Sequence, residues 1–116
     1  MAVDWLDYCL AKPGAWRDEP WDGVVVVKVA ERIFAFLGDA PPVTEIGVKC
    51  GDREAADWWL ERHPGAGRWM SHLGRGGWNS FTVAALGDDD VAELLDHSYE
   101  IVRNLLPRSR RPWLDD

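Results

Sequence analysis

The sequence predicts an α/β (α+β) fold: a two-layer sandwich in the order α-β-β-β-α-β-β-α, with a five-stranded antiparallel sheet and helices on one face. Three observations support this prediction. Apolar residues recur at helical spacing near the start, in the middle and near the end of the chain. Short β-branched or alternating segments lie between these helical segments. Glycine-containing turns join neighbouring strands as hairpins, which favours an antiparallel sheet.

The first half of the chain carries one helix and three strands. Val3, Leu6 and Leu10 are spaced for one face of a helix over residues 2–12, which Pro13-Gly14 ends. Residues 16–23 are polar and contain two tryptophans, and we interpret them as a connection. Strands are predicted at 24–29 and 33–37, which form a hairpin, and at 43–50, where the two faces alternate.

The second half carries two helices and two strands. We expect Asp52 to cap a helix over residues 52–63, which Pro64-Gly65 ends. Strands at 68–70 and 78–86 form a second hairpin around a glycine-rich tip. The acidic run from Asp88 to Asp90 favours a helix start, because the helix macrodipole stabilises negative charge there, and apolar spacing continues to Pro107.

Length and composition predict a single globular domain. The chain has 116 residues with 47% hydrophobic content, and we assign residues 1–107 to the domain and residues 108–116 to a short C-terminal tail. No apolar run approaches the roughly 18 residues of a membrane span, and the N-terminus lacks the pattern of a secretory signal. We therefore expect a soluble, cytoplasmic protein without a membrane partner. Cys9 and Cys50 have no CxxC spacing, and we interpret both as small buried residues.

The net charge argues against a polyanionic partner, but its distribution is uneven. The chain has 13 basic and 20 acidic residues, a net charge of −7, which repels a polyanion on average. Residues 62–87 and 101–114 contain no acidic residue, and their arginines give them charges of +3 and +4. Two interpretations are open. In the first, the surface charges are simply scattered unevenly. In the second, the molecule is polarised, and the second hairpin and the chain end form one basic side.

The sequence predicts no catalytic, metal or cofactor site. The histidines at positions 63, 72 and 97 lie outside any HExxH motif, and the chain has no Gly-x-Ser-x-Gly or phosphate-binding glycine motif. A pairing of Cys50 with a histidine, or of Asp96 with His97, stays open, because distant residues can meet in the fold. We expect a protein that is not an enzyme.

The most informative tract runs from Gly74 to Val83. A glycine-rich basic loop leads directly into Trp78-Asn79-Ser80 and a strand, which is the pattern of a hairpin tip and its return arm. Arg75 and Trp78 are residue types that contact phosphates and bases when they lie at an exposed tip. The tract therefore indicates a candidate binding surface.

Six segments in order carry a resemblance to a known family. They are Cys9 to Ala15, Val26 to Val29 followed by Phe34-Ala35, Val48-Lys49-Cys50, His63-Pro64-Gly65, Trp78-Asn79-Ser80, and Asp96 to Val102. With these segments the chain resembles the MmcQ/YjbR family of small bacterial proteins over residues 4–107. The resemblance implies a two-layer α/β fold with a five-stranded antiparallel sheet. It also implies DNA binding, a function associated with paired hairpin wings in that fold.

The DNA-binding hypothesis assigns roles around the second hairpin. Family members usually carry a short basic segment such as Asn-Lys before the tryptophan, whereas residues 71–77 here are looser and hold one arginine. Arg75 would neutralise a phosphate, Trp78 would stack on an unpaired base, and Asn79 would donate to a phosphate or a base edge. The structural interpretation instead makes Trp78 a core anchor and has Asn79 hold the turn. The predicted nucleic-acid residues are Lys28, Lys49, Arg68, His72, Arg75, Trp78 and Asn79.

A second hypothesis uses the tryptophans. The chain has eight, which is more than a small core easily buries. Exposed aromatic side chains rimmed by polar residues can line a cleft for a small planar or aromatic ligand. The cleft would be lined by Trp16, Trp21, Trp58 and Trp69. A third hypothesis has exposed aromatic residues join two copies, so the protein is expected to be a monomer or a weak homodimer.

Overall fold

The computed structural model describes residues 3–113. Residue 2, at the predicted start of the first helix, and residues 114–116 of the predicted tail lie outside this range. The described residues form three α-helices and one antiparallel sheet, which confirms the predicted α+β class. The elements are α1 (Trp5–Leu10), β1 (Ala15–Trp21), β2 (Val24–Val29), β3 (Arg32–Phe36), β4 (Glu45–Lys49), α2 (Arg53–Arg62), β5 (Gly67–Trp69), β6 (Trp78–Thr82) and α3 (Asp88–Leu105).

The sheet has six strands, not the five that the sequence predicted. Its order is β1-β2-β3-β4-β6-β5, so β1 and β5 form the two edges. The additional strand is β1, which covers the segment interpreted above as a connection. Asp22-Gly23 makes a two-residue turn between the paired residues Trp21 and Val24, and Gly23 has a φ of 77°, a left-handed conformation that favours glycine.

The last strand is shorter than predicted. The expected strand at 78–86 ends at Thr82, and Val83–Ala85 forms a short 3-10 turn. The N–H of Val83 donates to the carbonyl of Thr44 at 3.0 Å, which closes the pairing of β6 with the start of β4. The chain then continues into α3.

One face of the sheet is covered by all three helices. α3 packs against β2, β3 and β4, α1 packs against β1 and β2, and α2 packs against β6. The helices bury the inward-facing positions of the strands, and the core between the two layers excludes water from its large side chains. Its largest fully buried residues include Phe34, Phe81, Ile46, Leu94 and Leu95.

The helix starts follow the capping signals in the sequence. The Asp52 carboxylate accepts a hydrogen bond from the N–H of Ala55 at 2.9 Å, which confirms its predicted role as a cap. Asp4 accepts from the N–H of Asp7 at 3.0 Å in the same way. The start of α3 has no side-chain cap, and its first turn holds three aspartates, which the helix macrodipole stabilises.

A gap between β3 and β4 is the main irregularity of the sheet. These strands pair only at Ala35 with Val48 and at Phe36 with Gly47. Beyond these pairs, the Ser98 hydroxyl of α3 lies between the strands. It accepts from the N–H of Lys49 at 2.9 Å and donates to the carbonyl of Phe34 at 2.6 Å. The serine therefore replaces the missing ladder bonds and keeps the strands apart.

The end of the described chain packs back on the domain. A short 3-10 turn at Arg108–Arg110 is followed by Pro112, whose carbonyl accepts two hydrogen bonds from the Arg103 guanidinium at 3.0 and 2.8 Å. Arg111 donates to the carbonyl of Leu106 at 2.9 Å, and Arg110 pairs with Glu31 at 2.8 Å. Three of the four arginines near the chain end thus form contacts between the chain end and the domain.

Candidate binding face

The strand register defines the face of the sheet that no helix covers, which we call the open face. Residues paired directly across antiparallel strands point to the same side, so the register of all six strands assigns each side chain to a face. Four aromatic residues of the open face are exposed or half-buried, and four of the predicted nucleic-acid residues share it. The face carries Trp16, Trp21, Lys28, Ile33, Phe36, Glu45, Lys49, Arg68 and Trp78, among others.

Two of the predicted cations on the open face are paired with acids. Lys28 lies 2.7 Å from Asp18, and this contact holds the pKa of the Asp18 carboxyl below its usual range. Arg68 lies 3.1 Å from Glu45. Each pair neutralises a cation that the DNA hypothesis assigned to phosphate contact.

Lys49 has a different environment. Its ammonium group donates to the carbonyl of Gly76 in the glycine-rich turn, and it pairs with no carboxylate among residues 3–113. Lys49 also lies directly across the ladder from Trp78. An uncompensated cation and an aromatic ring therefore lie side by side on the open face.

The glycine-rich tip is fastened to the domain rather than being a free hairpin tip. Gly74–Gly76 forms a 3-10 turn, and Arg53 of α2 donates to the carbonyl of Gly74. Gly77 has a φ of 90°, and a Cβ at this position would lie 1.9 Å from the carbonyl oxygen of Gly51. Only glycine fits this contact. Within this turn Arg75 stays exposed, and His72 is also exposed with a φ of 66°.

Asn79 lies on the helical side of β6 and is not available to nucleic acid. It is fully buried, its amide nitrogen donates to the carbonyl of Ala56 at 2.9 Å, and its amide oxygen accepts from Arg53 at 2.6 Å. We therefore correct its assignment as a nucleic-acid residue: the whole amide joins β6 to α2. Trp78, its neighbour, points to the open face, where its ring meets Phe36 edge to face at 5.5 Å.

The four tryptophans predicted to line one cleft do not come together. Trp16 and Trp21 lie on the edge strand β1, whereas Trp69 lies on the opposite edge strand β5 and Trp58 lies on α2. The Trp69 indole donates to Asp57 at 3.0 Å, and the Arg53 guanidinium lies 4.1 Å from its ring. The predicted cleft is corrected accordingly, because the sheet separates its residues.

The helical layer carries most of the net charge. α2 and α3 together contain nine acidic and three basic residues, which gives −6 of the chain's −7. A groove of about 870 Å³ beside α2 is lined by five of the chain's acids together with Trp58, Trp59 and His97. This side of the molecule repels polyanions. The lining acids are Asp52, Glu54, Asp57, Glu61 and Glu93.

A smaller cleft opens at the gap between β3 and β4, where side chains of the open face meet the last turns of α3. Its volume is about 420 Å³, and Phe36, Lys49 and Trp78 contribute to its lining. No local pattern in the sequence signals this cleft, because the gap depends on Ser98, which is 64 residues from Phe34. Phe36 and Leu73, which also line the cleft, were absent from both predicted sets.

The two cysteines are buried thiols. Burial raises the pKa of the Cys9 and Cys50 thiols to about 12, so both stay protonated at neutral pH and are poor nucleophiles. Within residues 3–113, no group of three or more histidine, cysteine, aspartate or glutamate side chains is placed to hold a metal ion. None of the described helices is both long and apolar enough to cross a membrane.

Known proteins are similar to this chain in sequence, and solved structures are similar to its fold. The family model named YjbR matches residues 10–101. The Escherichia coli K12 protein YjbR is 30% identical over 112 residues, which cover 94% of this chain and 92% of that protein.

Two solved structures are similar to the fold. A crystal structure of a Deinococcus radiodurans protein with a DUF419 domain has a TM-score of 0.81 at 23% identity, covering 93% of this chain and 83% of the other. A crystal structure of a Pseudomonas syringae protein has a TM-score of 0.68 at 18% identity, covering 88% and 99%. The family match and the relative's identity over nearly both full lengths confirm the resemblance read from the sequence: the chain belongs to the YjbR family.

Proposed function

We propose that this protein is a non-enzymatic binding module that holds single-stranded DNA, or another nucleic acid with unpaired bases, on the open face of its sheet. The observation that carries the proposal is the separation of charge and aromatic side chains between the two layers. Trp16, Trp21 and Trp78 share the open face with Lys49, whereas −6 of the net charge lies on α2 and α3. The net charge of −7 is therefore compatible with an anionic partner on one side only.

Aromatic side chains on an open sheet suit unpaired bases. Stacking of a base on an aromatic side chain contributes about 1–3 kcal/mol and tolerates any base, since every base has a π-face. Trp16 is 44% exposed and Trp21 is 56% exposed, so both offer ring surface without rearrangement. Trp78, on β6, lies four strands away from Trp16 and Trp21 of β1 on the same face, which suits a nucleic-acid strand that crosses the sheet.

The fastened turn argues for unpaired rather than duplex nucleic acid. A hairpin wing that enters a duplex groove must project from the domain, but Gly74 and Gly77 are buried against α2 and its preceding loop. Arg75 lies within this turn and stays exposed, and we expect it to supply a phosphate contact. Because Lys28 and Arg68 are already paired with acids, we expect few phosphate contacts and moderate affinity.

Fluorescence anisotropy with labelled oligothymidine and with a matched duplex, each over a series of salt concentrations, tests the proposal. We expect the single strand to bind more tightly, and its log affinity to fall with log salt at a slope of about 0.7 per phosphate contact. The expected slope is about 1.4, for contacts from Lys49 and Arg75. An absence of binding at low salt, or a preference for the duplex, would contradict the proposal.

Paired arginine variants locate the surface. Arg75→Ala should lower the affinity about threefold and reduce the salt slope by about 0.7, because one phosphate contact is lost. Arg62→Ala removes the same charge from α2, where Arg62 covers Trp58 at 4.6 Å, and should leave the affinity unchanged. Equal effects of the two variants would show that net charge, not the open face, governs binding.

A further inference from the structure

The cleft at the gap between β3 and β4 lies where side chains of the open face meet the end of α3. Its volume of about 420 Å³ lies in the range of roughly 300–1,000 Å³ that is typical of small-molecule pockets. Side chains from the three neighbouring strands β3, β4 and β6, the segment that leads into the fastened turn, and α3 surround it. Its lining includes Ile33, Phe36, Lys49, Leu73, Trp78 and Leu105.

The gap is held open by hydrogen bonds rather than by loose packing. Because the Ser98 hydroxyl satisfies both the N–H of Lys49 and the carbonyl of Phe34, the two strands need not close on each other. Both backbone groups therefore keep a hydrogen-bond partner when no ligand occupies the cleft. A ligand that enters therefore meets a preformed site and displaces no protein hydrogen bond of the ladder.

The walls of the cleft favour a flat ring. Phe36 and Trp78 meet at 5.5 Å with their planes 82° apart, so they form an aromatic corner. A planar ligand in this corner stacks on one ring and meets the edge of the other, both of which are favourable aromatic geometries. At the rim, Leu73 is 39% exposed and Leu105 is 54% exposed, and a bound ring would remove their apolar surface from water.

The charges at the cleft favour an anionic group on that ring. Lys49 and Arg32 line it, and neither has a carboxylate partner among residues 3–113. Glu31, the acid in the lining, is neutralised by Arg110 at 2.8 Å. The cleft therefore presents two uncompensated cations beside an aromatic corner.

We infer that this cleft binds one planar heteroaromatic ring that carries an anionic group, which is the chemistry of a nucleoside monophosphate. The ring lies against Phe36 and Trp78, and the anion lies near Lys49 and Arg32. The ligand has two sources, a free mononucleotide or one nucleotide of a bound strand. The second source rests on the nucleic-acid function proposed above and would make the cleft its base-holding pocket.

Titration of the isotope-labelled protein with AMP, followed by ¹H–¹⁵N spectra, tests the inference. We expect saturable shifts of the Trp78 indole N–H and of the Gly76 and Gly77 amides, with little shift of the Trp58 indole. Adenosine, which lacks the anionic group, should bind about tenfold more weakly than AMP. Shifts that do not saturate, or equal affinity for AMP and adenosine, would overturn the inference.

Two variants keep the test decisive if one of them perturbs the fold. Phe36→Leu keeps an apolar side chain but removes the ring, and should weaken AMP binding about tenfold. Leu73→Glu changes an exposed rim residue and should weaken AMP binding by a similar factor through charge repulsion. Trp58→Phe, on α2, is the matched aromatic control and should leave AMP binding unchanged.

A comparison of AMP with oligothymidine separates this inference from the proposed function. If the oligonucleotide binds but AMP leaves Trp78 unshifted and Phe36→Leu has no effect, the cleft inference fails while the proposed function stands. If AMP binds at the cleft and the oligonucleotide binds no tighter than dTMP, the proposed function fails and the cleft is a site for free mononucleotides. If both bind and compete at Trp78, the cleft holds one nucleotide of the strand.

Discussion

The helical layer and the open face cover opposite sides of one sheet with different residue types. The helical layer packs apolar side chains inward and turns its acids to solvent, which places −6 of the net charge there. The open face exposes tryptophan rings and pairs most of its charges locally, leaving Lys49 uncompensated among the described residues. The net charge of −7 therefore describes mainly the helical layer, and it is a poor guide to the partner of the open face.

The boundary between the two sides passes between consecutive residues of β6. Trp78 points to the open face and Asn79 points to α2. The two residues are adjacent in the family segment, but their side chains lie on different sides of the sheet. Trp78 presents part of its ring on the open face, and Asn79 joins β6 to α2. Variants on either side of this boundary are the sharpest tests of the comparison.

The largest expected effect belongs to Asn79→Ala. We expect a loss of about 3 kcal/mol in the free energy of unfolding, because the Ala56 carbonyl and the Arg53 guanidinium each lose a buried partner. Urea denaturation measures this loss. Thr82→Ala, an exposed position on the same strand, is the control and should change the stability by less than about 0.5 kcal/mol. A stable Asn79→Ala protein with lost nucleic-acid affinity would break the division between the faces.

A smaller loss is expected for Ser98→Ala, which removes the hydrogen bonds that bridge β3 and β4. The loss should be about 2 kcal/mol, because the carbonyl of Phe34 and the N–H of Lys49 are left without a protein partner. Hydrogen exchange of the Lys49 amide should become faster than in the parent protein. Glu100→Ala, exposed on the same helix, serves as the control and should change neither quantity. Unchanged exchange at Lys49 would show that the gap does not depend on Ser98.

The buried thiols of the helical layer predict a loss of stability at alkaline pH. Burial raises the pKa of the Cys50 thiol from its ordinary value of 9.0 to about 12. Between these values the unfolded chain releases the proton while the folded protein keeps it, so stability falls as the pH rises above about 9. Between pH 8 and pH 10, the free energy of unfolding should fall by about 1.4 kcal/mol less in Cys50→Ala than in the parent protein. Each pH unit above the pKa of the unfolded thiol changes this free energy by roughly that amount.

Urea denaturation at pH 8 and pH 10 measures this difference, and Cys9→Ala provides a matched variant. Burial raises the pKa of Cys9 to about 12 as well, so the two variants should behave alike. Tyr8 contributes little over this range, because its pKa is 10.0 when exposed and burial raises it to about 12 in the folded protein. Identical pH dependence in the parent and both variants would contradict the assignment.

The fold was predictable where local patterns decide it. Asp52 and the aspartates at the start of α3 predicted helix starts, and the valine run predicted β2. β1 was missed because its exposed, charged residues and Pro20 show no apolar alternation, which is typical of an edge strand. Asp22-Gly23 was the available signal, since this dipeptide favours a two-residue hairpin turn.

The candidate site was predictable only in part. The alternation of residues 43–50 places Lys49 and Glu45 on one face, and the register confirms that placement. The same rule separates Trp78 from Asn79, so the two could not both contact a ligand on one face. The cleft itself depends on a contact between α3 and β3 across 64 residues, and no local pattern reveals such a distant contact.

The smallest expected effect comes from releasing a cation on the open face. Glu45→Gln removes the carboxylate that lies 3.1 Å from Arg68 and frees the guanidinium for a phosphate. Exposed pairs of this kind contribute only about 0.2–1 kcal/mol, so the fold should tolerate the change. We expect about a twofold gain in affinity for oligothymidine and a salt slope steeper by about 0.7, measured by anisotropy.

Glu54→Gln makes the same change in net charge on α2 and is the matched control. If charge acts through the face that carries it, this variant should leave both the affinity and the salt slope unchanged, because Glu54 lies in the acidic groove of the helical layer. Equal gains from the two variants would mean that the strand responds to total charge, and the division between the layers would then have no part in binding. A gain confined to Glu45→Gln requires Arg68 to reach the bound strand, which places that strand across β4, β5 and β6.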